Sequence, residues 1–385
     1  MVSPAESRVS KTVPARVAEN VNATPPGFPK GIEKSEDKIM TEKEKNIDVT
    51  ALGELLIDFT ESGNSPQGNA LLEVNPGGAP CNVLAMLSRL QRKTCFIGKV
   101  GQDMFGNLLE EAIRSVGIDA SGLKKDPEVH TTLAFVHTLE GGDREFSFYR
   151  NPGADMMLQE EDVDLSLIQK ARIFHFGTLS MTHPQCRKAT QRAIRAAQES
   201  GCILSFDPNL REPLWSDLSQ AHEQTAWGME RCHILKISDN EIRWFTGEED
   251  FLNGLKILEE RFHIPLILLS LGKEGSIAYT EGTQDPVFVP AFENPHTVET
   301  TGAGDTFCAC VLHYILKQLD QEPQKTGFPQ LKKEQLREML TFANAAASIV
   351  TTRKGALKIM PSPSEVYDFI EQSGRITDVQ NRAQS

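Results

Sequence analysis

The chain has 385 residues, 39% of them hydrophobic, which is enough for one large α/β domain or two ordinary ones around a real core. A formal charge of −13 speaks against a general binder of nucleic acid or anionic membrane, because phosphate surfaces need a basic footprint and no basic run supplies one. Seven cysteines without CxxC spacing and nine histidines without HExxH spacing speak against a disulfide framework and a zinc site, and no apolar stretch nears the ~20 residues that cross a bilayer.

Residues 1–46 are rich in Ser, Pro, Ala, Asn, Lys and Glu, with no sustained hydrophobic period, and are expected to form a disordered N-terminal extension. They lack a secretory apolar region. The cysteine usage favours a reducing, cytoplasmic location, and an organelle transit peptide is the minor alternative because the first 32 residues carry few acids. Met40 is a plausible alternative start.

From Ile47 onward, strand-like runs alternate with helix-period segments, the pattern of an α/β domain with a mostly parallel sheet, here expected over 47–374 with a flexible tail at 375–385. The strand candidates are Val49 to Phe59, Thr94 to Val100, Ile173 to Gly177, Ile203 to Asp207, Ile234 to Ile237 and Leu266 to Ser270. Helices are expected at Ala79 to Leu90, Leu108 to Val116, Gln185 to Glu199, Phe251 to Phe262, Phe307 to Leu316, Lys333 to Thr351 and Ser364 to Ile370. Two stretches instead alternate with period two, about 60–76 and 130–152, and predict a small antiparallel flap over one end of the main sheet. An apolar outer face on this flap would pair with a second copy through Phe146 or Phe148, unless those rings pack inward.

The densest chemical signal is Glu299-Thr300-Thr301-Gly302-Ala303-Gly304-Asp305-Thr306-Phe307. Gly302, Ala303 and Gly304 leave backbone N–H groups open to close approach just where a helix dipole begins, which is an anion seat. A carboxylate there, Asp305, repels a phosphate unless it takes the proton of an alcohol attacking that phosphate, so the segment reads either as phosphoryl transfer or as a plain glycine turn with an acidic first-turn residue. A second turn, Asn75-Pro76-Gly77-Gly78-Ala79-Pro80-Cys81-Asn82, also opens a helix. Asn82 there, with Asp58 near the end of the first strand, offers the donors and acceptors that suit a polyhydroxylated sugar. Asp103, in Gly98-Lys99-Val100-Gly101-Gln102-Asp103-Met104-Phe105-Gly106, suits a helix N-cap. Ser238-Asp239-Asn240-Glu241 reads as a capping box.

Both glycine motifs, in this order and at this spacing, make the chain from about Ile47 to Gly374 resemble the PfkB, or ribokinase-like, carbohydrate kinases. Within them, EFSFYRNPGADMML (Glu145 to Leu158), FDPNLREPLW (Phe206 to Trp215) and KISDNEIRWFTG (Lys236 to Gly247) resemble bacterial and plant fructokinases. The resemblance implies a three-layer α/β/α fold with a β lid, and transfer of the γ-phosphate of ATP to the 6-hydroxyl of D-fructose. It implies that Asp305 is the base, that the amides around Gly302, Ala303 and Gly304 form the anion hole, and that Asp58, Gly77, Gly78, Asn82 and Arg150 hold the sugar. Ser270, Gly272, Gly275 and Asn344 would meet the nucleotide, and Glu241 a magnesium ion through water. Glu299 and Thr301, with carbonyls near Gly355, would form a monovalent cation site for potassium, although Glu299 stands where relatives carry Asp and is longer by over ~1 Å. Small-molecule sugar and ATP are the implied partners, with no nucleic acid and no membrane. The alternatives are a kinase for another acceptor, such as 2-keto-3-deoxygluconate, ribose or adenosine, and a kinase-like binding protein without catalysis.

Overall fold

The apolar run from Val49 to Phe59, expected as one strand, divides in two. β1 (Ile47–Leu52) stops before Gly53, where a Cβ would meet Pro80 at 2.6 Å, and β2 (Leu56–Asn64) joins a different sheet. The close approach at Gly53 turns the chain out of the first sheet, which periodicity within an apolar run does not reveal. The computed structural model describes residues 45–138, 144–282, 285–323 and 327–374; the expected extension up to residue 44 and the tail 375–385 lie outside them.

β3 (Ala70–Gly77) returns along β2 and runs into α1 (Ala79–Arg89), whose start is marked by Pro80 in the first turn. After β4 (Thr94–Gly101), α2 (Met104–Ser115) begins a turn earlier than the apolar periodicity predicts, because Asp103 Oδ1 accepts the Gly106 N–H at 2.8 Å as its cap. β5 (Ile118–Asp126), β6 (Leu133–Thr138) and β7 (Arg144–Tyr149) follow. The chain then alternates through α3 (Leu165–Gln169), β8 (Ala171–Gly177), α4 (Pro184–Glu199), β9 (Ile203–Asp207), α5 (Leu218–Met229) and β10 (Ile234–Ser238). α6 (Asp239–Thr246), α7 (Phe251–Phe262), β11 (Leu266–Ser270), β12 (Gly275–Thr280) and β13 (Val287–Pro290) lead to three closing helices, α8 (Ala303–Gln321), α9 (Lys333–Val350) and α10 (Pro363–Gln372).

Among the described residues, nine strands form the main sheet in the order β13-β12-β11-β10-β9-β8-β1-β4-β5, parallel from β11 to β5 with β12 and β13 antiparallel at one edge. Both faces are covered. Val49, Ala51 and Ile173 point into a core with α1, α8 and α9, whereas Leu52, Phe174 and Phe206 point into a second core with α4 and α5. Two covered faces explain why these strands read as continuous apolar runs rather than as alternation. The strand order reverses at β1, between β8 and β4, and such a switch point opens a crevice at the carboxyl ends of the strands.

The lid sheet has the order β3-β2-β6-β7; its outer pairs are antiparallel and its middle pair, β2 with β6, is parallel. Asp58 pairs with Ala134 and Ala134 with Phe148, so these three share the inner face. Phe148 lines the cavity below and therefore packs inward; the side chain of Phe146 lies outside the described residues. The outer face carries Phe59, stacked on Phe135 with ring centroids 4.9 Å apart, and Tyr149, which is 67% exposed.

Candidate active site

Two glycine turns meet at the carboxyl ends of the strands. Gly78 precedes α1 at φ 128°, and a Cβ there would lie 2.4 Å from the Glu54 carbonyl oxygen, so only glycine closes the turn. Gly302 precedes α8 in the left-handed region at φ 78°. Asn82, in the first turn of α1, donates its Nδ2–H to Oδ2 of Asp305 at 2.8 Å, joining positions 223 residues apart. Asn82 is 4% exposed, and its Oδ1 has no partner among the described residues. A buried acceptor in that state is completed by a donor from a ligand or water.

Around this pair lies a cavity of about 590 Å³, lined by Glu54, Asp58, Asn82, Arg211, Lys236 and Asp305 among others. Burial raises the Asp305 carboxyl above its usual range, opposed by the Asn82 hydrogen bond and by Lys236 and Arg211. A carboxylate raised in this way is a stronger base. Burial also pushes Asp58 up to about 7, against Arg211 and with help from Glu299 and Asp305. A Cβ on Gly77 would come 2.6 Å from Asp58 Oδ2, so the bare glycine makes room for that carboxylate. Lys236 pairs with Asp207 Oδ2 at 3.0 Å; burial disfavours its ammonium, but Asp207, Glu241 and Asp305 outweigh this and hold it charged. Its Nζ would lie 3.3 Å from a Cβ on Gly304, which sets a fixed cation against the glycine turn.

The first-turn N–H groups of α8 have no helical partners by construction, which is the basis of an anion seat. Gly304 lines the cavity, whereas the Ala303 N–H turns back to the Thr300 carbonyl at 3.3 Å. A second cavity of about 780 Å³, walled by Gly272, Phe292, Pro295, Asn344 and Ala347, shares Thr297 and Thr300 with the first. The start of α8 borders both, Gly302, Gly304 and Asp305 lining the first cavity and Ala303 the second, so groups held in the two cavities lie close to one turn.

Of the expected sugar residues, Asp58, Gly78 and Asn82 line the first cavity and Gly77 backs Asp58. Arg150 does not reach across it, which corrects the sequence expectation. Its guanidinium is buried against Asp155 Oδ2, at 2.8 Å from Nε and 2.6 Å from Nη2, and donates to Leu179 O and Thr182 Oγ1, so a partner five residues away in sequence takes the charge. On the nucleotide side, Gly272 and Asn344 line the second cavity, while Ser270 and Gly275 do not. Asn344 is already engaged: Oδ1 accepts from Ser276 Oγ at 2.9 Å and Nδ2 donates to Val289 O at 3.0 Å. Glu241 forms the capping box with Ser238, and its other oxygen accepts the Leu210 N–H at 2.8 Å, so both carboxylate oxygens already have protein donors. Glu299 and Thr301 line the first cavity, and Glu299 Oε2 lies 3.5 Å from the Gly355 N–H.

Sequence reasoning assigned no role to Glu54, Asp207, Arg211 or Lys236. Lys236 carries a signal that could have found it: a single charge inside the apolar strand β10, beside β9 ending in Asp207.

A doubly wound sheet, a lid over its switch point and an acid between two glycine turns define a sugar-kinase site of ribokinase-like fold. The chain belongs to the pfkB family of carbohydrate kinases, whose family profile matches residues 46–363, and it is a phosphotransferase with an alcohol acceptor. It is 38% identical over 328 residues to "Probable fructokinase-2" of Arabidopsis thaliana, covering 84% of this chain and 95% of that protein. Among solved structures it is similar to a fructokinase with bound ATP from Xylella fastidiosa, at TM-score 0.74 and 28% identity over 85% of this chain and 99% of that one. It is also similar to a fructokinase double mutant from Vibrio cholerae with fructose, ADP and potassium bound, at TM-score 0.72 and 27% identity over 85% and 99% of the two chains.

Proposed function

We propose that this sugar kinase is a fructokinase that transfers the γ-phosphate of ATP to the 6-hydroxyl of D-fructose, giving fructose 6-phosphate and ADP. The observation that carries the reading is the Asn82–Asp305 hydrogen bond, which ties the sugar-side turn to the acid of the α8 turn that borders both cavities. Sugar hydroxyls donate to Asp58 and to the orphaned Oδ1 of Asn82, beneath Leu56 and Phe148 of the lid. ATP occupies the second cavity with its phosphates directed at the Gly302–Asp305 turn. The 6-hydroxyl oxygen attacks phosphorus in line, the bond to the ADP oxygen breaks, and the hydroxyl proton passes to Asp305. The α8 amides and Lys236 face the charge that develops on the transferred group.

Magnesium bound with ATP would neutralise charge between the β- and γ-phosphates, with Glu241 meeting it through water. Glu299 and Thr301, with carbonyls near Gly355, are the proposed potassium ligands; Glu299 and Gly355 do come together, through a contact to the Gly355 N–H. The cytoplasm is the proposed compartment, supported by seven buried free thiols, and none of the described helices is long and apolar enough to cross a membrane. A homodimer through the lid would use the Phe59, Phe135 and Tyr149 face, and a Tyr149→Glu chain would then elute as monomer.

The deciding experiment is an ATP-consumption assay with a panel of sugars, 2-keto-3-deoxygluconate and nucleosides, with the product identified. Turnover highest with fructose and a 6-phosphate product is expected; a higher kcat/KM for another acceptor would reassign the substrate, and no turnover with any would remove the kinase reading.

A further inference from the structure

We infer that Glu54 is a second carboxylate that reads the acceptor sugar, taking a hydrogen bond from a hydroxyl other than the one phosphorylated. The inference rests on the sugar-kinase reading of the same cavity and names a specificity-determining residue within it. Glu54 follows the turn at Gly53, between β1 and β2, and is 5% exposed. One oxygen, Oε1, accepts the Ala79 N–H at 2.9 Å and so satisfies an orphan donor at the start of α1. Apart from its own backbone N–H, the carboxyl receives no further donor among the described residues, and the side chain lines the same cavity as Asp58, Asn82 and Asp305.

The nearest cation does not complete it. Arg150 spends its guanidinium on Asp155, Leu179 and Thr182. Behind Glu54 lies a pocket of only about 10 Å³, shared with His175, Thr178 and Asp207, which is about the volume of a single water and too small for a substrate. A carboxylate buried to this degree costs free energy unless donors reach it, and the cavity side is where donors can arrive. Helix capping alone does not call for an acid here, since one acceptor oxygen performs it and a glutamine amide would do the same. Glu54 therefore joins Asp58 and Asn82 Oδ1 as a set of three acceptors facing one space, which selects a ligand with several hydroxyl donors and rejects a flat, acceptor-rich one.

The test is Glu54→Gln, which keeps the capping oxygen and the volume but places an amide donor toward the cavity. Steady-state kinetics at pH 8, above the value of about 7 to which burial raises Glu54, should show the sugar KM rising about 10- to 100-fold, the loss expected for one hydrogen bond to a charged group, with kcat and the ATP KM close to wild type. A series of deoxy sugars supplies the cross-check: wild type loses affinity for each, while Glu54→Gln shows no further loss for the one that lacks the hydroxyl paired with Glu54. Glu54→Ala, which also removes the cap, should lower the melting temperature as well. An unchanged sugar KM in Glu54→Gln, or an equal penalty for every deoxy sugar in both proteins, would overturn the assignment. If wild type phosphorylates no sugar, the function proposed above falls; if it does so and Glu54→Gln matches it, only this inference falls.

Discussion

The two cavities that share Thr297 and Thr300 are built on opposite plans. The first cavity, proposed for the sugar, concentrates charge: Glu54, Asp58, Asp305, Arg211 and Lys236 face one space, and Asn82 leaves an acceptor without a protein donor among the described residues. The second cavity, proposed for the nucleotide, mixes Ala291, Phe292, Pro295 and Ala347 with polar groups at its exposed edge such as Lys273 and Glu293, and two of its polar side chains are already spent: both ends of Asn344 are engaged, and Ser348 Oγ donates to Phe292 O at 3.0 Å. On the proposed assignment, the acceptor meets a charged, hydrogen-bonding cavity and the nucleotide a less charged one, with the α8 turn bordering both.

The largest expected effect comes from removing the proposed base, Asp305, at the α8 turn. Asp305→Asn should keep both KM values near wild type while kcat falls by ~10²- to 10⁴-fold, the range for a lost general base; near-normal turnover would take the acid out of the mechanism. Lys236→Met comes next, because it leaves Asp207 buried without its cation, which typically costs ~3–5 kcal/mol, readable by denaturant unfolding as a large drop in midpoint. A midpoint equal to wild type would show that Asp207 is neutral in the fold. Gly78→Ala is third: with φ 128° and a Cβ 2.4 Å from Glu54 O, it should lose ~1–3 kcal/mol and weaken sugar binding before ATP binding. Equal losses on both sides would blur the distinction between the cavities.

A pH experiment separates the cavities without any substitution. Burial raises Glu54 and Asp58 to about 7, so between about pH 4 and 7 the folded chain holds protons that the unfolded chain has released. Their stabilising contribution is complete below the unfolded values near 4 and is lost as pH rises through 7. The ligand-free protein should therefore melt at a higher temperature at pH 6 than at pH 8, and Asp58→Asn should narrow the gap; a wild type that melts higher at pH 8 contradicts the shifts. The smallest effect belongs to the nucleotide side. Ser348→Ala removes one neutral hydrogen bond, about 0.5–1.5 kcal/mol of stability, and should leave the ATP KM nearly unchanged.

Much of this site is legible in the chain because its parts are local. Gly302 and Gly78, each followed at once by a helix, announce two turns, and Ser238 with Glu241 announces a capping box. Legibility ends where a charge chooses its partner. Arg150 reads as a reaching cation until the turn after it brings back Asp155, and Phe148 could face either way until its register with Ala134 sets the inner side.

Sequence by itself determined the alternation of strands and helices, the two glycine turns and the acid beside the second, since these follow from side-chain periodicity, φ preference and first-turn chemistry within a few residues. Only the tertiary structure decided that Asn82 meets Asp305, that Lys236 meets Asp207 across neighbouring strands, and that Glu54 shares a cavity with Asp58. Those encounters depend on strand order and on where β1 leaves the main sheet, and no local preference specifies which distant charges the sheet will bring together.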